Sequence, residues 1–225
     1  MLLRIPVPNY TGYPNAPFTN AGSVRNKGFE FGIDWRGQRG NFSYGINANA
    51  ATYKNVVTSL GKGNNPIYGT GFKSGLSKTE VDHPIGMFFG YKWLGIFQTQ
   101  EEINAYTGKD GQLLEPLAKP GDFKFADTNG DGVLNDNDRT YIGNPHPDLV
   151  YGFGIRLGWK NFDFSSAFSG TLGNDMWNEN KSKYFVSIDN VQAIAYTDAW
   201  RKPGDNTTLP RISQLNQNNN NRSSS

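Results

Sequence analysis

The chain has 225 residues, no cysteine and a formal net charge of +2, with 14% aromatic and 19% charged residues. The charge balance gives no electrostatic case for a nucleic-acid or anionic-lipid partner, and the lack of thiols excludes a disulfide framework and thiolate metal centres. Glycine supplies 27 residues, well above the usual ~7%, which together with the aromatics favours β-structure with many turns.

No stretch approaches the ~20 apolar residues of a membrane-crossing helix. The opening MLLRIPVPNY is not a secretion signal, because Arg4, Pro6 and Pro8 interrupt its apolar run. A mean hydropathy of -0.62 is compatible with a membrane protein built of strands, since only alternate residues of such strands face lipid.

Residues 1–27 are rich in Pro and Asn and show little periodicity. The first strand is expected over Gly28–Arg36, where Phe29, Phe31, Ile33 and Trp35 alternate with Glu30, Gly32, Asp34 and Arg36. Gly37–Gly40 reads as a turn. A second strand follows from Phe42 to about Val56, making a hairpin with the first. Residues 58–82 read as a long loop, and PIGMFFGYKWLGIFQ is strongly aromatic. Thr99 and Glu102 have capping-box spacing, so a short helix is expected to start there. Leu149–Lys160 is the clearest strand, with Tyr151, Phe153, Ile155, Leu157 and Trp159 on one side. It turns at Lys160–Asn161 into a partner carrying Phe162, Phe164 and Phe168. Trp and Phe near that turn suit an interfacial aromatic girdle. Asp189 is read as the cap of a helix over 190–200, and residues 214–225 as a polar, disordered tail. The fold class is therefore all-β and antiparallel, with one or two short helices. Four good strands fall short of the ~8 needed to close the smallest barrel, so lipid or further strands must cover their apolar face.

One segment carries candidate chemistry. DTNGDGVLNDND has the spacing of a calcium loop, with Asp127, Asn129 and Asp131 as oxygen donors, Gly132 at the sharp turn, Val133 offering its carbonyl, then Asn135 and Asp138. Position twelve is aspartate, one methylene shorter than the glutamate of an EF-hand, and the flanks are strand-like, not helical. Two readings stand: a loop rigidified by Ca2+ at weak affinity, or an Asp/Asn/Gly turn whose side chains bond their own backbone. His83 and His146 each precede Pro and lie far apart, which speaks against zinc. No nucleophile or nucleotide motif is present, and an enzyme is not expected. Tyr91, Trp93, Phe97, Trp177 and Tyr184 could stack on sugar rings, but girdle or loop packing is the preferred reading. Glu30, Asp34 and Arg156 are expected on a lumen wall.

GSVRNKGFEFGIDW, PIGMFFGYKWLGIFQTQEEI, GDFKFADTNGDGVLNDNDRTYIGNPHPDLVYGFGIRLGWKNFDFSSAFSGTLGNDMWN and AWRKPGDNTTLPR occur in this order. In them the chain resembles the SusC/RagA family of TonB-dependent outer-membrane transporters, in the C-terminal part of the family's barrel. The resemblance covers roughly residues 3–213, and residues 1–213 are read as a partial transmembrane β-barrel cut at both ends. It implies a Gram-negative outer-membrane location and contact with outer-membrane lipid. It implies a SusD-type lipoprotein partner that captures oligosaccharide or peptide, and a link to TonB through an N-terminal part missing here. It also implies periplasmic turns at Gly37–Gly40 and Lys160–Asn161, with extracellular loops at about 58–82, 98–148 and 172–212. An open sheet with a bare apolar face is not expected to fold alone. The competing expectation is a soluble, calcium-stabilised β-domain that binds carbohydrate. The two differ in whether Phe29, Trp35, Phe153 and Trp159 pack against a second sheet or lie on an open surface.

Overall fold

The computed structural model describes residues 2–4, 18–20, 22–61, 63–69, 75–179 and 193–213. In chain order the strands are β1 (Leu2–Arg4), β2 (Phe18–Asn20), β3 (Ser23–Arg39), β4 (Phe42–Ser59), β5 (Ile67–Tyr68), β6 (Ser77–Thr79), β7 (Met87–Tyr91), β8 (Trp93–Ile96), β9 (Phe123–Phe125), β10 (Arg139–Gly143), β11 (Leu149–Trp159) and β12 (Phe162–Leu172). The helices are α1 (Gln100–Ala105) and α2 (Ala193–Asp198). The chain divides into two compact units, Met1–Met87 with Asn144–Met176, and Phe88–Gly143 with Trp177–Ser225.

The first unit is built on a four-stranded antiparallel sheet in the order β12-β11-β4-β3. Two hairpins, β3–β4 and β11–β12, are zipped together by β4–β11 pairing from Val150↔Ala51 to Trp159↔Phe42. The chain leaves this sheet after Ser59 and returns at Leu149. At the opposite end both hairpins close through tight turns, at Gly40–Asn41 and Lys160–Asn161, which the Lys160 N–H ties together by donating to the Asn41 carbonyl at 3.1 Å.

The first turn is thus Gly40–Asn41, at the far edge of the Gly37–Gly40 span where the sequence pattern placed it. Gly37 stays in β3 because the Tyr44 ring lies over it from the neighbouring strand. A Cβ at Gly37 would sit 2.3 Å from the Tyr44 hydroxyl. Gly40, with φ +60, takes the left-handed turn position that disfavours a side chain. β3 also starts earlier than the apolar alternation shows, at Ser23. The 58–82 stretch is not wholly irregular: β4 continues to Ser59, and β5 pairs with β6. Its return is pinned to β4 by Val57 N–H to the His83 carbonyl and Asp82 N–H to the Val57 carbonyl, each 2.9 Å.

In the second unit β7 pairs with β10, and β8 with β9. Gly95, at φ +135, absorbs the bulge opposite Lys124 in β8. Helix α1 starts where its cap was expected. The Thr99 hydroxyl accepts from Glu102 N–H, and the Glu102 carboxylate reaches back to Gln98 N–H at 2.8 Å. The core gathers Tyr91, Ile96, Phe123, Phe125, Ala195, Trp200 and Leu209, with a second cluster of Phe97, Ile103 and Ala118. Helix α2 ends at Asp198, before the expected Trp200, because Ala199 and Trp200 turn into a bridge with Leu209. The expected cap Asp189 and the tail 214–225 lie outside the described residues.

Candidate functional site: an apolar sheet face and an aspartate-rich loop

The register of the main sheet sorts every side chain by face. Cross-strand rows run Phe31–Ala50–Tyr151–Gly170, Ile33–Ala48–Phe153–Phe168, Trp35–Ile46–Ile155–Ser166 and Arg39–Phe42–Trp159–Phe162. Strand geometry puts all of these on one side. The opposite side carries rows such as Asp34–Asn47–Gly154–Ala167 and Arg36–Gly45–Arg156–Ser165. It is small and polar by construction. A Cβ at Gly154 would lie 2.6 Å from Asn47 Oδ1, so the asparagine amides occupy the space that side chains on β11 would need. Glu30, Asp34 and Arg156 lie on this side, as read from the alternation.

The apolar side is uncovered. Phe29 is 85% exposed, Trp35 57%, Phe153 40% and Trp159 55%. Phe31, Ile33, Phe162, Phe164 and Phe168 are exposed with them. Burying each such side chain is worth about 1.5–3 kcal/mol. Leaving the set as exposed as it is here forfeits on the order of 10 kcal/mol, comparable to the ~5–15 kcal/mol that holds a typical domain together. Soluble monomers rarely expose a contiguous apolar patch of this kind. Among the described residues no second sheet packs on it, which separates the two sequence expectations in favour of the open surface.

The aspartate-rich loop forms a closed cage of short-range hydrogen bonds. The Asp127 carboxylate accepts from Gly130 N–H at 2.6 Å and Gly132 N–H at 2.9 Å. Both glycines have positive φ, +71 and +86, which curls the backbone around that carboxylate. Asn129 Oδ1 accepts from Asp131 N–H and Asp131 Oδ1 from Val133 N–H, both at 2.9 Å. Asn135 caps a single 3-10 turn, Asp136–Asp138, through a reciprocal capping box. The fully buried Asp138 accepts from Thr128 N–H and Asn135 N–H. Each predicted oxygen donor is thus oriented by the loop's own amides, while carboxylate oxygens keep a further lone pair. Among the described residues no three His, Cys, Asp or Glu groups gather into a ready metal cage.

Burial raises the Asp127 carboxyl, but the Gly132 and Gly130 amides outweigh it, with Asp138 adding, and hold it below the usual carboxylate range. A group whose folded value is depressed contributes stability above its unfolded value of ~3.9 and loses it as pH falls through the folded one. The Gly130 and Gly132 amide NMR shifts are therefore expected to stay constant from neutral pH down to pH ~4 and to move only below it. Movement centred above that value would contradict the cage.

Of the aromatics considered for sugar stacking, Tyr91 and Phe97 are buried and Trp93 packs on the core. The Tyr91 hydroxyl donates to Asp136 at 2.7 Å, so its role is to anchor the loop. Trp177 donates to Glu179, and Tyr184 lies outside the described residues. His146 Nε2 meets the Ile85 carbonyl and His83 Nδ1 the Val81 carbonyl, so the two imidazoles serve separate backbone contacts.

The alternation missed a polar lock in the second unit. The fully buried Asp122 carboxylate receives Arg211 Nε at 2.7 Å, Arg211 Nη2 at 3.3 Å and Lys119 N–H at 2.9 Å. Arg211 N–H donates to the Gly121 carbonyl, and the Trp200 indole N–H donates to Gln98 at 3.1 Å. These partners are 89 and 102 residues apart in sequence, too far for any local pattern to link them.

No family model matches the chain. TonB-dependent receptor P26 of Formosa agariphila is 32% identical over 215 residues, covering 94% of this chain and 21% of that protein. TonB-dependent receptor SusC of Bacteroides thetaiotaomicron is 26% identical over 180 residues, covering 77% of this chain and 16% of that protein. A solved RagAB peptide transporter superposes on 96% of this chain and 23% of its own with a TM-score of 0.69 at 18% identity, a likeness of fold. The chain spans about a fifth of the length of the curated relatives it matches.

Proposed function

This chain belongs to the TonB-dependent receptors and is SusC/RagA-like, and we propose that its four-stranded sheet is a stretch of the wall of a TonB-dependent outer-membrane importer. The observation that carries this reading is the two-faced sheet, bulky and apolar on its open side and small and polar on the other. A barrel wall needs that division, lipid outside and a polar lumen inside. The tight turns at Gly40–Asn41 and Lys160–Asn161 then face the periplasm, and the long excursions lead to the extracellular side. In this reading the importer works with a SusD-type lipoprotein, draws on TonB and carries oligosaccharide or peptide. Brominated lipids test the wall: in vesicles they are expected to quench Trp35 and Trp159 fluorescence. Quenching by aqueous iodide instead would contradict it.

The loop 127–138 is proposed to take Ca2+ through Asp127, Asn129, Asp131, the Val133 carbonyl, Asn135 and Asp138, stiffening an extracellular segment. Support comes from the oxygen-only donor set and from the glycine-curled backbone, both suited to a hard cation. Because three carboxylates are not already gathered, the expected affinity is weak, on the order of 0.1–1 mM. Calorimetric titration should show one such site and its loss in the D127N/D138N double variant. Heat identical in both proteins would sink the calcium assignment.

A further inference from the structure

All charges on the apolar side of the main sheet are positive. The register places Arg25, Lys27 and Arg39 of β3 and Lys54 of β4 on that side, while Glu30, Asp34, Arg36, Arg156 and Asp163 lie on the other. Arg39 stands at the end with the tight turns. Arg25, Lys27 and Lys54 stand at the opposite end, just beyond Phe29. Lys27 and Lys54 are direct cross-strand partners. Like charges so paired, with Cβ atoms only about 4.5–5.5 Å apart, repel each other unless an anion lies between them. None of the three side chains has an ion-pair partner among the described residues, and all three are exposed. They border an open hollow of about 830 Å³ that includes Phe29 and Thr52, with Asp148 as its acidic member.

The spacing along the strand gives these charges a depth. Lys27 and Arg39 are twelve residues apart, about 40 Å of strand at ~3.4 Å per residue. At the ~45° tilt of a barrel strand this spans ~30 Å, the thickness of a bilayer's hydrocarbon core. The cluster therefore sits at the level of the headgroups, on the side away from the tight turns.

We propose that Arg25, Lys27 and Lys54 form a binding site for the phosphate groups of outer-leaflet lipid, docking a phosphorylated headgroup against the outside of the wall. The inference rests on the barrel-wall reading for its orientation. Arginine offers a planar fork matched to phosphate oxygens, and the two lysines add point charges at the same level. The apolar side chains below them receive the acyl chains of the same lipid.

The test measures retention of diphosphoryl lipid A by the purified full chain in neutral detergent, against the same lipid stripped of phosphate. The R25Q/K27Q/K54Q variant is expected to lose at least tenfold in retained lipid, and K27R/K54R to keep it. R39Q, at the opposite end, should behave as the unaltered chain. Equal retention in the triple variant, equal retention of the dephosphorylated lipid, or displacement by millimolar inorganic phosphate would each overturn the proposal. Lipid quenching of Trp35 and Trp159, read on the same samples, separates the two ideas. Quenching without phosphate-dependent retention removes this site and leaves the wall, whereas absence of quenching removes the wall.

Discussion

Arg211→Ala is expected to destabilise the second unit by about 3–5 kcal/mol, the cost of stranding a buried charge. Asp122 is fully buried, and the Arg211 guanidinium gives its carboxylate two hydrogen bonds and a compensating charge, beside the bond from Lys119 N–H. The damage should spread. Arg211 holds the Gly121 carbonyl through its backbone, and the Trp200 ring packs on Gly121, where a Cβ would lie 2.3 Å from that ring. At the same place Phe97 N–H donates to the Asp122 carbonyl and Gly121 N–H donates to the Phe97 carbonyl. Loss of the lock therefore loosens the segment 199–213 from the β8–β9 hairpin. Limited proteolysis should cut near 201–206 in the variant well before the unaltered chain. Arg211→Lys should recover part of the loss, since it restores charge but not the fork. Unchanged proteolysis and unfolding in Arg211→Ala would mean that the pair is incidental.

Ile33→Arg is expected to cost about 2–4 kcal/mol in a bilayer, the penalty for a cation at midplane depth on a lipid-facing barrel position. Ile33 lies midway between the two cation levels, Lys27 and Arg39, and is exposed on the apolar side beside Ala48. The neighbouring substitution Asp34→Arg changes more charge but points to the polar side, beside Asn47. It should be nearly neutral apart from the loss of the exposed Arg36–Asp34 pair, itself worth at most ~1 kcal/mol. The contrast between adjacent residues is the informative quantity. Urea unfolding from lipid vesicles measures it, and equal effects at the two positions would contradict the assignment of faces.

Much of this was readable from alternation. Phe29 to Trp35 and Tyr151 to Trp159 announce strands because period-two patterning is a local property, and the Thr99–Glu102 spacing marks a helix start for the same reason. Boundaries failed where a non-local partner decides them. Gly37 reads as a turn glycine, yet the Tyr44 ring on β4 keeps it in the strand. Four of the first five residues of β3 are polar and show no apolar alternation, so the alternation does not place Arg25 and Lys27 on the apolar side. The 127–138 loop was legible as a run of Asp, Asn and Gly, and its carboxylate and amide oxygens accept from amides of the same loop. Asp122 and Arg211 were invisible as a pair because nothing in a one-dimensional pattern connects residues joined only by the fold.

In the proposed barrel wall, one side of the β3–β4–β11–β12 sheet lies against lipid. The chain has no cysteine, so single cysteines carrying a nitroxide can be placed at each position from Phe29 to Arg36 without competing labels. Accessibility to dissolved oxygen and to a water-soluble nickel complex is then read by electron paramagnetic resonance in lipid vesicles. A period of two is expected, with oxygen favoured at Phe29, Phe31, Ile33 and Trp35 and the nickel complex at Glu30, Gly32, Asp34 and Arg36. Uniform exposure along the strand, or low accessibility to both probes at the aromatic positions, would contradict it.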